Sequence, residues 1–160
     1  MPISPPSKKD IRAQLRRRRA LLTPEARAAA ATRMASHIPQ LPPWRQATRI
    51  AVYLAADCEI SPLPLVELAR KRGKEIFLPV IQQDKSLTFA LWQEGDALVP
   101  NRYEIPEPTD HASTCSPSEL DIVFMPLVAW DPSGTRLGMG GGFYDRTLAN
   151  SQGALRVGLA

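Results

Sequence analysis

The sequence predicts a single α/β domain of three layers, a mostly parallel sheet flanked by helices. Three observations lead there. Short apolar runs at 50–54, 76–80 and 122–128 suit strands covered on both faces. One helical stretch with short connections separates the first two runs. Strand, helix, strand in that order is a βαβ unit, which implies parallel pairing and a right-handed crossover. At 160 residues and 44% hydrophobic, the chain holds one sizeable core and falls short of two full domains.

Taken in order, Ser7 caps a helix over residues 8–22, with Asp10 in the first turn where the dipole favours a carboxylate. Pro24 fits the first position of a second, Ala-rich helix that runs to His37 and is stopped by Pro39. A strand follows at 49–54. Ser61-Pro62 caps the next helix, which carries Leu65, Val66, Leu68 and Ala69 and ends in Arg70-Lys71-Arg72 before Gly73. Strands are expected at 75–80 and 87–92, then a long irregular connection over 95–119, rich in Pro and polar residues and of a length that is often functional. The most apolar strand spans 121–128. A turn at 131–134, a glycine-rich stretch, a short helix over 142–150 and a strand at 155–159 complete the chain.

Lys and Arg outnumber Asp and Glu by 20 to 16, and the excess lies before residue 34. Such a basic segment suits nucleic acid, an anionic membrane surface, or a small ligand bearing phosphate or carboxylate. On the first helix Ile11, Leu15 and Leu22 form an apolar stripe bordered by Lys8, Arg12 and Arg19, whereas four consecutive arginines, Arg16 to Arg19, fan round the axis. A phosphate-facing edge is favoured over a solvated face or a nucleic-acid stripe. No apolar run reaches the roughly 20 residues that cross a bilayer, and Cys58 and Cys115 have neither zinc nor disulfide spacing, so a cytoplasmic protein is expected. The 16 prolines predict rigid turns.

The stretch from Gly134 to Arg146 holds Arg136, Gly138, Gly140, Gly141 and Gly142 between an apolar strand and a helix. Glycines let backbone approach a ligand and turn N–H groups toward phosphate oxygens. The spacing is neither a Walker loop nor a dinucleotide fingerprint. Beside the glycines, Arg136 suits a phosphate, Tyr144 stacking or hydrogen bonding, and Asp145 a hard cation such as Mg²⁺. The competing reading is a plain structural turn, which needs none of the three. Glu59, just beyond a strand's C-terminal end, stands where open α/β sheets bind ligands, though alone it reads as a surface acid. His37 and His111 read as exposed bystanders, Cys58 as a small buried hydrophobe, and Trp92 and Trp130 as core.

Gly-x-Arg-Leu-Gly-x-Gly-x-Gly-aromatic-Tyr-Asp at 134–145, after Pro-Leu-Val-Ala-Trp-Asp at 126–131, resembles the 5-formyltetrahydrofolate cyclo-ligases, also called methenyltetrahydrofolate synthetases. The resemblance extends to Lys8-x-x-x-Arg12, to 54–59, to 73–79 and to Ile105-Pro106-Glu107-Pro108, covering essentially the whole chain in order. It implies a NagB/RpiA/CoA transferase-like sheet. It also implies that ATP is bound by Lys8, Arg12, Arg136, Leu137, Gly138, Met139, Gly140, Gly141, Gly142, Phe143 and Tyr144, with Arg136 and Tyr144 in catalytic roles. Leu54, Glu59 and residues 139–143 would bind the folate, Glu59 facing the pterin, and Asp145 would contact Mg²⁺. Phe143 departs from the second tyrosine of many members, and Met139 stands at a variable place. Members also continue past the 155–159 strand into a segment that supplies another acidic residue near the metal, so the resemblance implies a chain lacking its C-terminal part.

The reaction implied is ATP-dependent cyclisation of 5-formyltetrahydrofolate to 5,10-methenyltetrahydrofolate, by a monomer that binds no nucleic acid and no membrane. The alternatives are a truncated relative that binds nucleotide or folate without turnover, and a basic nucleic-acid-binding α/β module, whose binding would depend steeply on salt.

Overall fold

The computed structural model describes residues 5–110 and 113–160. Helix α1 (Lys8–Ala20) opens on a capping box: the Asp10 N–H donates to Ser7 Oγ at 3.2 Å, and the Asp10 carboxylate accepts from the Ser7 N–H at 3.2 Å. Helix α2 (Pro24–His37) starts from Thr23, with Pro24 at its first position. Strand β1 (Arg49–Ala51), helix α3 (Leu63–Lys71) and strand β2 (Glu75–Ile81) form the expected βαβ unit, and β1 and β2 pair in parallel.

Next come β3 (Leu87–Leu91), the short strands β4 (Leu98–Pro100), β5 (Pro106–Pro108) and β6 (Thr114–Cys115), then β7 (Ile122–Pro126). Strands β8 (Ala129–Trp130) and β9 (Arg136–Leu137), helix α4 (Phe143–Leu148) and strand β10 (Leu155–Leu159) end the order. The main sheet runs β10-β7-β1-β2-β3-β6. Its first four strands are parallel, and β3 and β6 add antiparallel pairing at one side.

Both faces of the sheet are covered, which is why its strands read as continuous apolar runs. Ile50, Ile76, Leu78, Ile122 and Phe124 point to the face that α2 and α3 cover. Ala51, Phe77, Phe89, Val123 and Met125 point to the other, where Leu148 of α4 packs. Ala31 and Ala35, the buried residues of α2, are small enough to let it lie close on α3. At the N-terminal edge one oxygen of Asp121 accepts from the N–H groups of Thr48 and Arg49 at 2.7 and 2.9 Å, fixing the start of β1 against β7.

Several expectations need correction. The described residues of 95–119 include strands β4, β5 and β6 and are held to the sheet: Glu107 Oε1 accepts from the Ile81 N–H at 2.9 Å and from Asn101 Nδ2 at 2.7 Å. Two proline-edged strands of three residues leave no alternating pattern to read. Trp130, expected in the core, is 66% exposed, and Leu22, placed on an apolar stripe, is 51% exposed because α1 ends two residues earlier. Residue Pro62, not Ser61, is the N-cap of α3, although Ser61 Oγ still accepts from the Leu63 N–H at 3.3 Å. Cys58 is only partly buried, His37 is exposed as expected, and His111 lies outside the described residues.

Candidate active site

The chain leaves β1 toward β2 on one side and later returns to β7 on the other, so the direction of winding reverses between the adjacent parallel strands β1 and β7. Open α/β sheets bind ligands beyond the carboxyl ends of strands at such a switch point. The loop after β1 carries Leu54, Asp57 and Glu59. The segment after β7 carries Leu127, the β8–β9 hairpin and the glycine loop. Helix α1 lies across both.

Arg136 sits at the root of the glycine loop, paired through β9 with Trp130. Its Nη1 donates to the Pro126 carbonyl at 3.1 Å, its Nη2 to Asp145 Oδ1 at 2.6 Å, and its guanidinium lies 5.7 Å from the Tyr144 ring centre. The end of β7, the root of the loop and the first turn of α4 are thus fixed by one side chain. Gly140 has φ +102° and Gly142, the N-cap of α4, has φ +70°, conformations that L side chains rarely adopt. The loop is held from above by Arg12, whose Nε donates to the Gly138 carbonyl at 2.8 Å.

Two further arginines of α1 reach the other loop. Arg16 grips Asp57 through both carboxylate oxygens at 2.7 and 3.0 Å, and Arg19 Nη2 donates to the same carboxylate at 2.9 Å. Arg19 also reaches toward the Leu127 carbonyl at 3.4 Å, and its Nε is buried without a hydrogen-bond partner. From the opposite side, the β4–β5 turn sets Tyr103 edge-on against Phe143 at 5.7 Å between ring centres.

The electrostatics divide the two acids of the β1 loop. The Arg16 hydrogen bond holds the Asp57 carboxyl below its ordinary value. Burial raises Glu59 above its ordinary value, although Glu59 Oε2 accepts the Ala56 N–H at 3.0 Å and Arg19 lies near enough to favour its charge. Burial also pushes the Tyr144 phenol up, so it stays protonated as a donor.

Of the site residues expected from sequence, Arg12 bonds Gly138, Arg136 bonds Asp145, and Glu59 lies near enough to Tyr144 to act on it; Leu54, on the same loop as Glu59, packs half-buried against the core. Lys8 is exposed, one turn before Arg12. Asp145 is 79% exposed, and among the described residues no cluster of three or more His, Cys, Asp or Glu side chains is arranged to hold a metal. A lone exposed carboxylate fits Mg²⁺ that arrives on phosphates with its own waters, the way Mg²⁺ is usually held. Sequence reasoning missed Asp57 and Arg16; their signals were the i, i+3 spacing of Arg16 and Arg19 and an acid two residues before Glu59. Nothing in the sequence marked Tyr103.

A cleft of about 830 Å³ lies along β10, the outer parallel strand, and touches this site from the β7 side alone, through Leu127, Gly134, Arg136, Tyr144 and Asp145. Its other walls include Leu155, Val157 and Trp130, and it brings together none of α1, Leu54 or Glu59. The converging polar groups at the switch point, not that cleft, mark the site.

Comparison with known proteins points the same way. A sequence profile described as the 5-formyltetrahydrofolate cyclo-ligase family matches residues 4–159. The chain is 41% identical over 141 residues to the 5-formyltetrahydrofolate cyclo-ligase of Escherichia coli (strain K12), covering 86% of this chain and 78% of that protein. It is 39% identical over 158 residues to the enzyme of that name from Haemophilus influenzae, covering 96% and 84%. The solved structure of Aquifex aeolicus 5,10-methenyltetrahydrofolate synthetase superposes with a TM-score of 0.83 at 28% identity, over 96% of this chain and 77% of that one.

Proposed function

The chain belongs to the 5-formyltetrahydrofolate cyclo-ligase family, and from that premise we propose how its residues divide the work of the family reaction. The reaction is the ATP-dependent cyclisation of 5-formyltetrahydrofolate to 5,10-methenyltetrahydrofolate, with release of ADP and phosphate. The formyl oxygen attacks the γ-phosphorus, ADP leaves, and N10 closes onto the activated formyl carbon, its proton passing to the phosphate that departs with that oxygen. An amide-like oxygen is a poor leaving group until it is phosphorylated. The protein's task is to bring the formyl oxygen into line with the γ-phosphate and to compensate negative charge.

The reading rests above all on one observation: two guanidiniums meet at Gly138 of the glycine loop at the switch point, Arg12 from α1 donating to its carbonyl and Arg136 from β9 packed against its Cα side while bonding Asp145 beyond the loop. Lys8, Arg12, Arg136 and the N–H groups of residues 137–144 bind the triphosphate. Arg136 is the catalytic cation, because it is held from three directions and loses little freedom when charge gathers on the transferring phosphoryl group. Tyr144 keeps its proton and donates to a substrate oxygen. Leu54, Glu59 and residues 139–143 receive the folate, and Glu59, half-buried and ringed by few donors, hydrogen-bonds the pterin N–H edge. Asp145 would hold Mg²⁺, which supplies charge neutralisation on the phosphates. No protein nucleophile is required. We place the protein in the cytoplasm as a monomer that acts on small molecules without nucleic acid or membrane; no helix among the described residues is long and apolar enough to cross a bilayer.

The test mixes purified protein with 5-formyltetrahydrofolate, Mg²⁺ and ATP and follows the near-ultraviolet absorbance of methenyltetrahydrofolate. Absorbance is expected to rise only with ATP and to rise far more slowly in Arg136→Ala. An Arg136→Ala rate equal to that of the parent overturns the assignment of Arg136.

A further inference from the structure

Helix α1 is attached to the domain in an unusual way. None of its residues is fully buried and only Ile11 and Leu15 of its apolar side chains are half-buried, so burial of apolar surface holds it only in part. What joins it to the site is a set of polar ties: Arg12 to the Gly138 carbonyl, Arg16 and Arg19 to Asp57, and Arg19 toward the Leu127 carbonyl. The recipient that takes two of the three arginines is Asp57, through one bidentate and one single contact. Bidentate guanidinium–carboxylate pairs are the strongest of such contacts, and a network of charges holds where an isolated surface pair does little.

The loop after β1 is shaped around this role. Asp57 and Cys58 are consecutive non-glycine residues with positive φ, +48° and +58°. Residues held in this region are sparse and cluster at sites whose surroundings over-determine them. The turn places the Asp57 carboxylate on α1, while Glu59, two residues on, accepts from the Ala56 N–H and lies near enough to Tyr144 to act on it. Arg19, only 17% exposed, would be left with a poorly compensated charge if Asp57 let go.

We propose that Asp57 is a positioning residue for the ATP-dependent reaction: it latches α1 across the switch point through Arg16 and Arg19 and thereby delivers Arg12 and Lys8 to the glycine loop. The proposal rests on the reading that α1 supplies part of the nucleotide site. Asp57 itself touches neither substrate nor phosphate. Its effect passes through the population of molecules in which α1 is docked, so weakening the latch lowers the competent fraction and raises the apparent dissociation constant for ATP in proportion.

The decisive variant is Asp57→Asn, because asparagine tolerates the left-handed conformation and loses only the charge. Amide exchange within α1, measured without ligands, is expected to quicken in Asp57→Asn and in Arg16→Gln, which breaks the same latch from the helix side with no backbone strain. Steady-state kinetics are expected to show the KM for ATP raised about tenfold in both, a tenth of the molecules being docked, with the change falling on KM rather than kcat. Asp57→Glu, which keeps the charge, restores much of both. Unchanged α1 exchange in Arg16→Gln overturns the latch, as does a loss confined to kcat. Because exchange is read without ATP or folate, it reports on the latch even where the parent forms no methenyl product, an outcome that would count against the cyclo-ligase reading instead.

Discussion

Arg136 and Asp145 bracket the glycine loop and meet at 2.6 Å, so the residue expected to hold Mg²⁺ is already paired with the residue expected to meet the phosphate. The pair is lopsided: the arginine side chain is 16% exposed and the aspartate 79%. On the proposed reading a metal-bearing triphosphate would share this contact: the guanidinium, still held by the Pro126 carbonyl and beside the Tyr144 ring, would meet phosphate while the Asp145 carboxylate would meet the cation. This exchange makes the two residues separable by experiment.

Asp145→Asn keeps a hydrogen-bond acceptor for Arg136 but removes the charge that suits Mg²⁺. The expected outcome is a several-fold higher Mg²⁺ concentration for half-maximal rate, with much of the parent kcat recovered at saturating Mg²⁺. Arg136→Ala is expected to lose about 10² to 10³ in kcat, the scale of removing one preorganised charge-stabilising donor, and no amount of Mg²⁺ restores it. Melting temperatures should barely move for Asp145→Asn, since the solvated Asp145, 79% exposed, adds little stability and asparagine still accepts from Arg136.

Glu59 should show the opposition between stability and function that buried charge creates. Burial raises its pKa above the ordinary 4.5, so the folded state prefers the protonated acid. Its stabilising contribution is therefore fully present below pH 4.5 and is lost as pH rises through the shifted value. Glu59→Gln, which can still accept the Ala56 N–H, is expected to melt higher than the parent at neutral pH, with the difference vanishing at acid pH. The same variant is expected to raise the KM for the folate at least tenfold. A stability gain that persists below pH 4 would show that the charge is not its source.

How much of this was legible in the sequence follows the range of the interactions. The starts of α1, α2 and the strand at 155–159 were readable because their causes are local: Ser7 and Asp10, Thr23 and Pro24, and the alternating apolar residues Leu155, Val157 and Leu159. The glycine loop was readable because glycines, an arginine and an acid fall within ten residues. The β4–β5 hairpin was not, because its stability comes from Glu107 bonding Ile81 and Asn101, and the first of those partners lies 26 residues away. The Asp57 latch was hidden for the same reason, since Arg16 and Asp57 are 41 residues apart. Four consecutive arginines that fan round a helix axis make no stripe to read, yet Arg16 and Arg19, one turn apart, share a single acceptor.

Gly140 tests whether the loop's conformation, not its bulk, is what matters. A Cβ added there would lie 3.6 Å from the nearest Arg12 atom, an ordinary contact, but φ of +102° lies outside even the left-handed helical well. Gly140→Ala is therefore expected to cost about 1–3 kcal/mol through backbone strain, read as a fall of several degrees in Tm, and to raise the KM for ATP. Gly95→Ala is the control, with φ +88° and open space around it, in a turn outside the site. It should cost comparable stability and leave the KM for ATP alone.

Cys58 offers a test of the strained turn from within. It holds φ +58° with a side chain that is only partly buried, so little packing offsets the conformation. Left-handed backbone costs an L residue about 1–2 kcal/mol. Cys58→Gly removes that strain but adds freedom to the unfolded chain, worth about 0.4–1 kcal/mol in the other direction. The net expectation is a protein as stable as the parent or more so by up to about 1.6 kcal/mol, obtained as the difference of those two effects. Cys58→Val has the opposite problem, because a β-branched side chain crowds its own backbone at positive φ. It is expected to lose about 1–2 kcal/mol and, by shifting the turn, to loosen both Asp57 on α1 and Glu59 in the site. Denaturant unfolding of the two variants beside the parent measures the difference. A valine variant as stable as the glycine variant would show that the turn relaxes freely and carries no strain.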